Sequence, residues 1–228
     1  FIGNGITGDG ALVLARTDGS SGRGGAESFS LFLVEKEGNP GYRVGTQLDK
    51  MGLKASDTAE LFFDEVRVPA ENRLGEEGQG LAMIMQLLPQ GRLAVAASAA
   101  VVAGQVLEET LGYVKDRSAF GSPITEYQNT RFRLAEQQVA LEVTQHYVAD
   151  AVRRFNAGEL DVVAASKAKM WASERAKEAA DVCLQLHGGY GYILEYPVAQ
   201  AYLAVRLLTI FGGTSEILRE TVAADMLG

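Results

Sequence analysis

The chain has 228 residues, is 47% hydrophobic and carries a formal net charge of −8, enough apolar material for one large domain or two small ones. The acidic balance excludes nucleic acid and an anionic membrane surface as main partners, although it leaves room for a local anion site. Cys183 is the only cysteine, which excludes an intrachain disulfide and makes a reducing compartment the simplest reading; no signal peptide and no apolar run long enough to span a bilayer is read.

The chain opens on FIGNGITGDGALVLAR, directly in strand-like sequence and without Met. It therefore reads as the C-terminal part of a longer protein. Residues 1–75 read as β structure. ALVLAR (11–16) and SFSLFLVE (28–35) are strand candidates joined by TDGSSGRGGAE, whose Gly and Ser content predicts an exposed, flexible connection. YRVGTQL, AELFFDEV and VRVP follow as further strands. From Gly80 onward the hydrophobic period becomes helical. A long helix is expected from about Leu81 to Asp116, kinked at Pro89, where a backbone donor is missing.

A second helix is expected over about 126–157, with Phe132, Ala135, Val139, Val143, Tyr147 and Ala151 as its apolar stripe. A third runs over about 160–186 with Ala168, Ala172, Ala176, Ala179, Cys183 and Leu186 on one face. HGGYGY (187–192) breaks it, and a short helix follows Pro197. The last helix starts at Thr214 or Ser215 as N-cap. Long helices with short loops indicate antiparallel neighbours, hence an α+β chain in which an up-down four-helix-type bundle follows a β domain.

Several stretches are candidates for chemistry. HGGYGY lacks a preceding strand and is no dinucleotide fingerprint; it reads first as a helix stop, with His187 structural. FGGTSE (211–216) joins a tight turn to a helix start, where free N–H groups favour anions. Arg117 in DRSAFG either satisfies the last carbonyls of its helix or reaches a phosphate. Arg92, in the apolar run LPQGRLAVAASAA, reads as a buried ion-pair member. No Ser-His-Asp triad, P-loop or metal site is read.

QLDKMGLKASDTAELFFDEVRVPAENRLG, RSAFG, EYQNTRFRLAE, QLHGGYGYILEYP and FGGTSEILRE follow one another after FIGNG. In this order and spacing they resemble the acyl-CoA dehydrogenase family over essentially the whole chain, nearest its long-chain and isovaleryl types. The resemblance implies that 1–75 end a middle β domain, a partial sandwich or barrel-like unit. It implies that 76–228 form the C-terminal helical bundle, and that an N-terminal helical domain is absent from the sequence. It also implies FAD as cofactor, an acyl-CoA thioester as substrate, an electron-transferring flavoprotein as acceptor, and a homodimer or homotetramer. The compartment would be the cytoplasm, or the mitochondrial matrix in a eukaryote.

By that resemblance a carboxylate removes the α-proton while the β-hydrogen leaves as hydride to the flavin. Phe1 and Gly3 would lie at the flavin ring. Arg117, Phe120 and Gln128 would contact the cofactor of a neighbouring subunit. Gln185, Gly188 and Gly189 would line its adenosine and pyrophosphate across a subunit interface, and Thr214 and Glu216 its phosphate and ribose region. Arg92 would orient the base or hold the acyl-CoA, with Phe211, Gly212 and Gly213 bordering the thioester.

The family carries its catalytic glutamate at one of two positions, which are Gly212 and Gly91 here. LPQGRL reads like LPQERL with the glutamate removed, so the base position holds no carboxylate. Gly3 stands where a Thr or Ser hydroxyl is usual, and Ala204 where an Asp is common. The expectation is an acyl-CoA dehydrogenase of lost or reduced activity. The alternatives are a dehydrogenase that draws its base from outside this stretch and a non-catalytic flavin- or acyl-CoA-binding subunit.

Overall fold

The structure, a computed structural model, describes residues 1–17 and 25–228, so the connection expected over 17–27 falls mostly outside the described residues. The chain divides into two compact units, 1–87 and 88–228.

The first unit holds two three-stranded antiparallel sheets. In one, β1 (Ile2–Gly3) and β4 (Tyr42–Gln47) flank β5 (Thr58–Phe63). In the other, β2 (Gly10–Arg16) and β6 (Arg73–Leu74) flank β3 (Phe29–Glu35). The β2–β3 ladder pairs every residue from Gly10↔Glu35 to Arg16↔Phe29. Across the two sheets, Leu31, Val34, Tyr42 and Ala59 are the buried apolar side chains. Of the partial sandwich or barrel-like unit expected for this part, the described residues show two separate sheets and no barrel. VRVP makes no strand, because Glu65 turns the chain at φ 51° and Pro69 lacks a ladder donor.

Asp57 closes the chain's opening turn. Its carboxylate accepts from the Ile6 and Thr7 backbone N–H groups and from the Thr7 hydroxyl at 3.2, 3.0 and 2.7 Å. These donors hold its pKa below the ordinary value, the Thr7 hydroxyl most of all.

Helix α1 (Gly80–Asp116) begins in this first unit. A side chain at Gly80 would meet the Ser30–Leu31 backbone at 2.6 Å, so only glycine lets the helix start that close to β3. The boundary between the compact units falls inside α1. The helix is continuous through Pro89.

The second unit is the helical bundle. It contains the rest of α1, α2 (Gln128–Asn156), α3 (Val162–His187), α4 (Pro197–Leu208) and α5 (Ser215–Leu227). A two-residue hairpin, β7 (Ser118–Ala119) and β8 (Ser122–Pro123), separates α1 from α2. Asp161 caps α3 by accepting from Ala164 N at 2.7 Å, and Pro197 occupies the first turn of α4. Ala96, Ala99, Ala100 and Ala103 of α1 pack with Ala168, Ala172 and Ala176 of α3 in one buried cluster with Val148, Val205 and Leu208.

Two expectations need correction. By length and composition α1 does qualify as long and apolar enough to cross a membrane. Its small side chains instead line the bundle core. The predicted apolar stripe of α2 does not face that core: Phe132 is 57%, Val139 61% and Val143 53% exposed. The buried face is Thr130, Gln137, Thr144, Val148 and Ala151, the last being the one stripe member buried. This arrangement is possible because the hydroxyls are satisfied locally. Thr144 donates to Ala140 O at 2.7 Å and accepts from Trp171 Nε1 at 3.0 Å.

Candidate functional site

The turn between α4 and α5 gathers the first group. Gly212 and Gly213 both have positive φ, 65° and 93°, a conformation that glycine adopts without strain. Thr214 then caps α5, accepting from Ile217 N at 3.3 Å. Arg92 reaches this turn from α1: a side-chain carbon on Gly213 would lie 3.7 Å from Arg92 Nη2. Arg92 is only 7% exposed. It donates from Nη1 to Ser166 Oγ at 2.8 Å, and Ser166 in turn donates to Val162 O.

The sequence reading of Arg92 as buried is right, but its partner is a hydroxyl rather than a carboxylate. Its Nε is buried without a hydrogen-bond partner among the described residues. Burial lowers its pKa.

Lys169 completes the group and was missed by the sequence reading. It is 0% exposed and donates from Nζ to Gly213 O at 2.7 Å. Its pKa is lowered to about 8, by burial first and then by Arg92, while Glu174 and Glu216 act in the opposite direction. The signal was present. Lys169 follows Ala168 and precedes Ala172 by three residues, on the same small-residue face.

Gly91 lies next to Arg92 on α1, exposed, and a side chain there would meet nothing within 4 Å. At Gly212 a side-chain carbon would touch only Val95, at 3.6 Å. Both positions thus have room for a Cβ, but at Gly212 the positive φ would strain any other residue. Phe211, just before them, is 42% exposed.

A second group forms where α3 ends. Arg117, Gln185, Gly188 and Gly189 line one groove together with Tyr113 and Tyr190. The Arg117 guanidinium lies over the Tyr190 ring, 5.9 Å from its centroid. Gly188 leaves the helix at φ 59° and donates to Gln185 O. His187 is a core residue, as read: its Nδ1 lies 2.8 Å from Cys183 O and its ring stacks on Tyr113 at 4.2 Å.

The α5 N-terminus forms a third group. Thr214 and Glu216 line a groove with Thr209, Arg206 and Arg219. The carboxyl of Glu216 is held below its ordinary pKa by its own backbone N–H and by the Thr214 hydroxyl. Ser215 Oγ and Arg175 Nε are buried at this groove without hydrogen-bond partners among the described residues.

The other candidates stand apart from these groups. Phe120 is fully exposed at the tip of the β7–β8 hairpin, with φ 52°, rare and strained for an aromatic residue. Gln128 opens α2 and lines neither of these grooves. Phe1 and Gly3 belong to the first unit, Phe1 almost wholly exposed and Gly3 paired with Thr58. No metal-binding cluster occurs among the described residues.

Residues 78–227 match the family described as acyl-CoA dehydrogenase, C-terminal domain. The chain is 44% identical to the mitochondrial long-chain specific acyl-CoA dehydrogenase of Sus scrofa, over 100% of this chain and 52% of that protein. It is 36% identical to a subunit of the caffeyl-CoA reductase-Etf complex of Acetobacterium woodii, over 96% of this chain and 57% of that subunit. An acyl-CoA dehydrogenase structure from Geobacillus kaustophilus superposes with a TM-score of 0.96 at 40% identity, covering 100% of this chain and 60% of that one. The chain thus spans little more than half the length of the relatives it matches.

Proposed function

The chain belongs to the acyl-CoA dehydrogenase family, and from that premise we propose that it takes part in FAD-dependent α,β-dehydrogenation of acyl-CoA thioesters, at a rate much reduced by the loss of the general base. The observation that carries this reading is the Arg92–Gly213 group. A buried guanidinium meets the turn that would border the thioester, while Gly91 and Gly212 both lack a carboxylate.

The donor set suits a dinucleotide cofactor. Arg117 supplies a guanidinium for a phosphate, Gln185 an amide, and Gly188–Gly189 an uncovered backbone within the same groove. Thr214, Glu216 and the orphaned Ser215 hydroxyl offer a second polar surface at the α5 N-terminus. These two surfaces line different grooves, which supports sharing of each cofactor between two subunits of a homodimer or homotetramer. Phe120, held exposed at a strained backbone position, is the aromatic contact offered to a neighbour. When bound, FAD supplies the acceptor for the substrate's β-hydrogen.

The remaining work falls to the chain. Arg92, fixed by Ser166, presents positive charge where a base or thioester would lie. The α-proton needs an acceptor within hydrogen-bond reach, and neither glycine provides one. Removing a general base costs about 10²–10⁴-fold in rate. By resemblance the electrons pass to an electron-transferring flavoprotein, in the cytoplasm or in the mitochondrial matrix.

The test uses the full-length protein with Gly91 intact, purified with its flavin and mixed anaerobically with acyl-CoAs of graded length. We expect bound flavin that bleaches slowly or not at all, and rapid bleaching in Gly91→Glu. Rapid bleaching without substitution would overturn the missing-base reading and move the search for a base outside this stretch. Absence of bound flavin would overturn the cofactor assignment.

A further inference from the structure

Two cations are buried side by side at the Gly212–Gly213 turn, and neither has a carboxylate within ion-pair distance among the described residues. Arg92 spends one nitrogen on Ser166, and Lys169 spends its ammonium on the Gly213 carbonyl. Burying a charge without a partner is costly, and burying two like charges together costs more. A neutral donor would satisfy the Gly213 carbonyl with less penalty. The retained charge therefore calls for a role beyond filling space.

The placement supplies one. Ser166 and Lys169 are three residues apart on α3, so they rise from one face of that helix. One holds the side chain of Arg92 on α1; the other holds the turn that precedes α5. The pair thereby fixes α1 at residue 92 against the turn at residue 213, each through a single polar contact. Gly91 adjoins one contact and Gly212 the other.

We infer that Lys169 is a positioning residue for the reaction: its buried ammonium, working alongside the Ser166–Arg92 contact, sets the separation between the base position on α1 and the turn that borders the thioester. The inference rests on the proposed dehydrogenase reading. Displacement by an ångström between reacting groups is enough to cost on the order of 100-fold in rate.

The ammonium also makes the contact sensitive to alkali. Its pKa of about 8 means that it loses charge between neutral and mildly alkaline pH. The charged groups acting on it are Arg92 from α1, Glu174 from its own helix and Glu216 from α5.

The experiment uses the full-length, flavin-loaded protein and its Lys169→Gln, Lys169→Met and Lys169→Arg variants, with the half-buried Lys167→Met as control. The readout is the change in the flavin spectrum on titration with an acyl-CoA, at pH 7 and at pH 9.5. In the Gly91→Glu background, kcat and KM are added. We expect unchanged flavin content, a loss of acyl-CoA affinity or kcat of about 10–100-fold in Lys169→Met, and substantial recovery in Lys169→Arg. The unsubstituted protein should weaken in acyl-CoA binding between pH 7 and 9.5, and Lys169→Gln should not. Unaltered affinity, kcat and pH profile, with only a lowered melting temperature, would overturn the inference and leave Lys169 structural. If Lys169→Met does not fold, Lys169→Gln decides: affinity, kcat and pH profile indistinguishable from those of the unsubstituted protein refute the role. Failure of the unsubstituted protein to bind flavin or acyl-CoA at all would count against the dehydrogenase reading instead.

Discussion

Lys169 holds its charge out of reach of water, and this gives folding a pH dependence of definite sign. Its value is 10.5 when unperturbed and about 8 in the folded chain. Between those values the unfolded chain binds more protons, so stability rises with pH across that window. Below pH 8 both states are protonated and the full cost of burial remains. The melting temperature of the unsubstituted protein minus that of Lys169→Met should therefore be larger at pH 9.5 than at pH 7. A gap independent of pH would mean that the ammonium is not the source of the cost. The open space at Gly91 leads to a second outcome. Formate should accelerate flavin bleaching by acyl-CoA in the unsubstituted protein and leave the rate in Gly91→Glu unchanged, as read by stopped-flow absorbance. Gly91, Arg92 and the double-glycine turn were legible in the sequence because each breaks a local rule: glycine inside a helix, arginine in an apolar run, paired glycines before a cap. Lys169 and Ser166 were not singled out because a stripe drawn from apolar residues alone passes over polar ones on the same face.

Among the elements, α2 is the one whose orientation the sequence did not disclose. Periodicity found its apolar stripe, but a period says which residues share a face and not what that face meets. The stripe faces outward beside Trp171, and Ala135, Val139, Ala140 and Val143 line a shallow groove there. This exposed face is the one that the proposed homo-oligomer would cover. Val143→Asp should shift the protein to a smaller species by mass photometry without lowering its helix content; an unchanged mass would remove α2 from the interface. Helix ends were much more legible. Pro197 and Thr214 fixed two starts by local chemistry, and Gly188 a stop. The Thr214 cap carries its own prediction. Thr214→Ala should cost about 1 kcal/mol in chemical denaturation, and no loss would mean that the α5 end is held by other contacts.

Considered whole, the chain offers its cofactor candidates on surfaces that share no residue: Arg117, Gln185, Gly188 and Gly189 on one, Thr214 and Glu216 on the other. If each cofactor bridges two subunits, defects on the two surfaces should complement. Arg117→Ala and Thr214→Ala proteins should each lose flavin. Co-assembled from a denatured mixture, they should recover it at roughly a quarter of the sites, because a mixed dimer has one intact site and one doubly damaged. No recovery would place both surfaces at one subunit's own cofactor. The change from β to helical sequence was plain from periodicity, since alternation gives way to a longer period at Gly80. The break between compact units at 87–88 lies inside the continuous helix α1, where no local pattern marks it.

The emptiness around Gly91 also bears on heredity. A glycine codon ending in a purine lies a single base from a glutamate codon, and a Cβ at residue 91 would meet no neighbouring atom of the described residues within 4 Å. Lineages whose codon for this glycine ends in a purine therefore stand one point mutation from the acidic form. Persistence of the glycine among descendants would then measure selection rather than structural confinement.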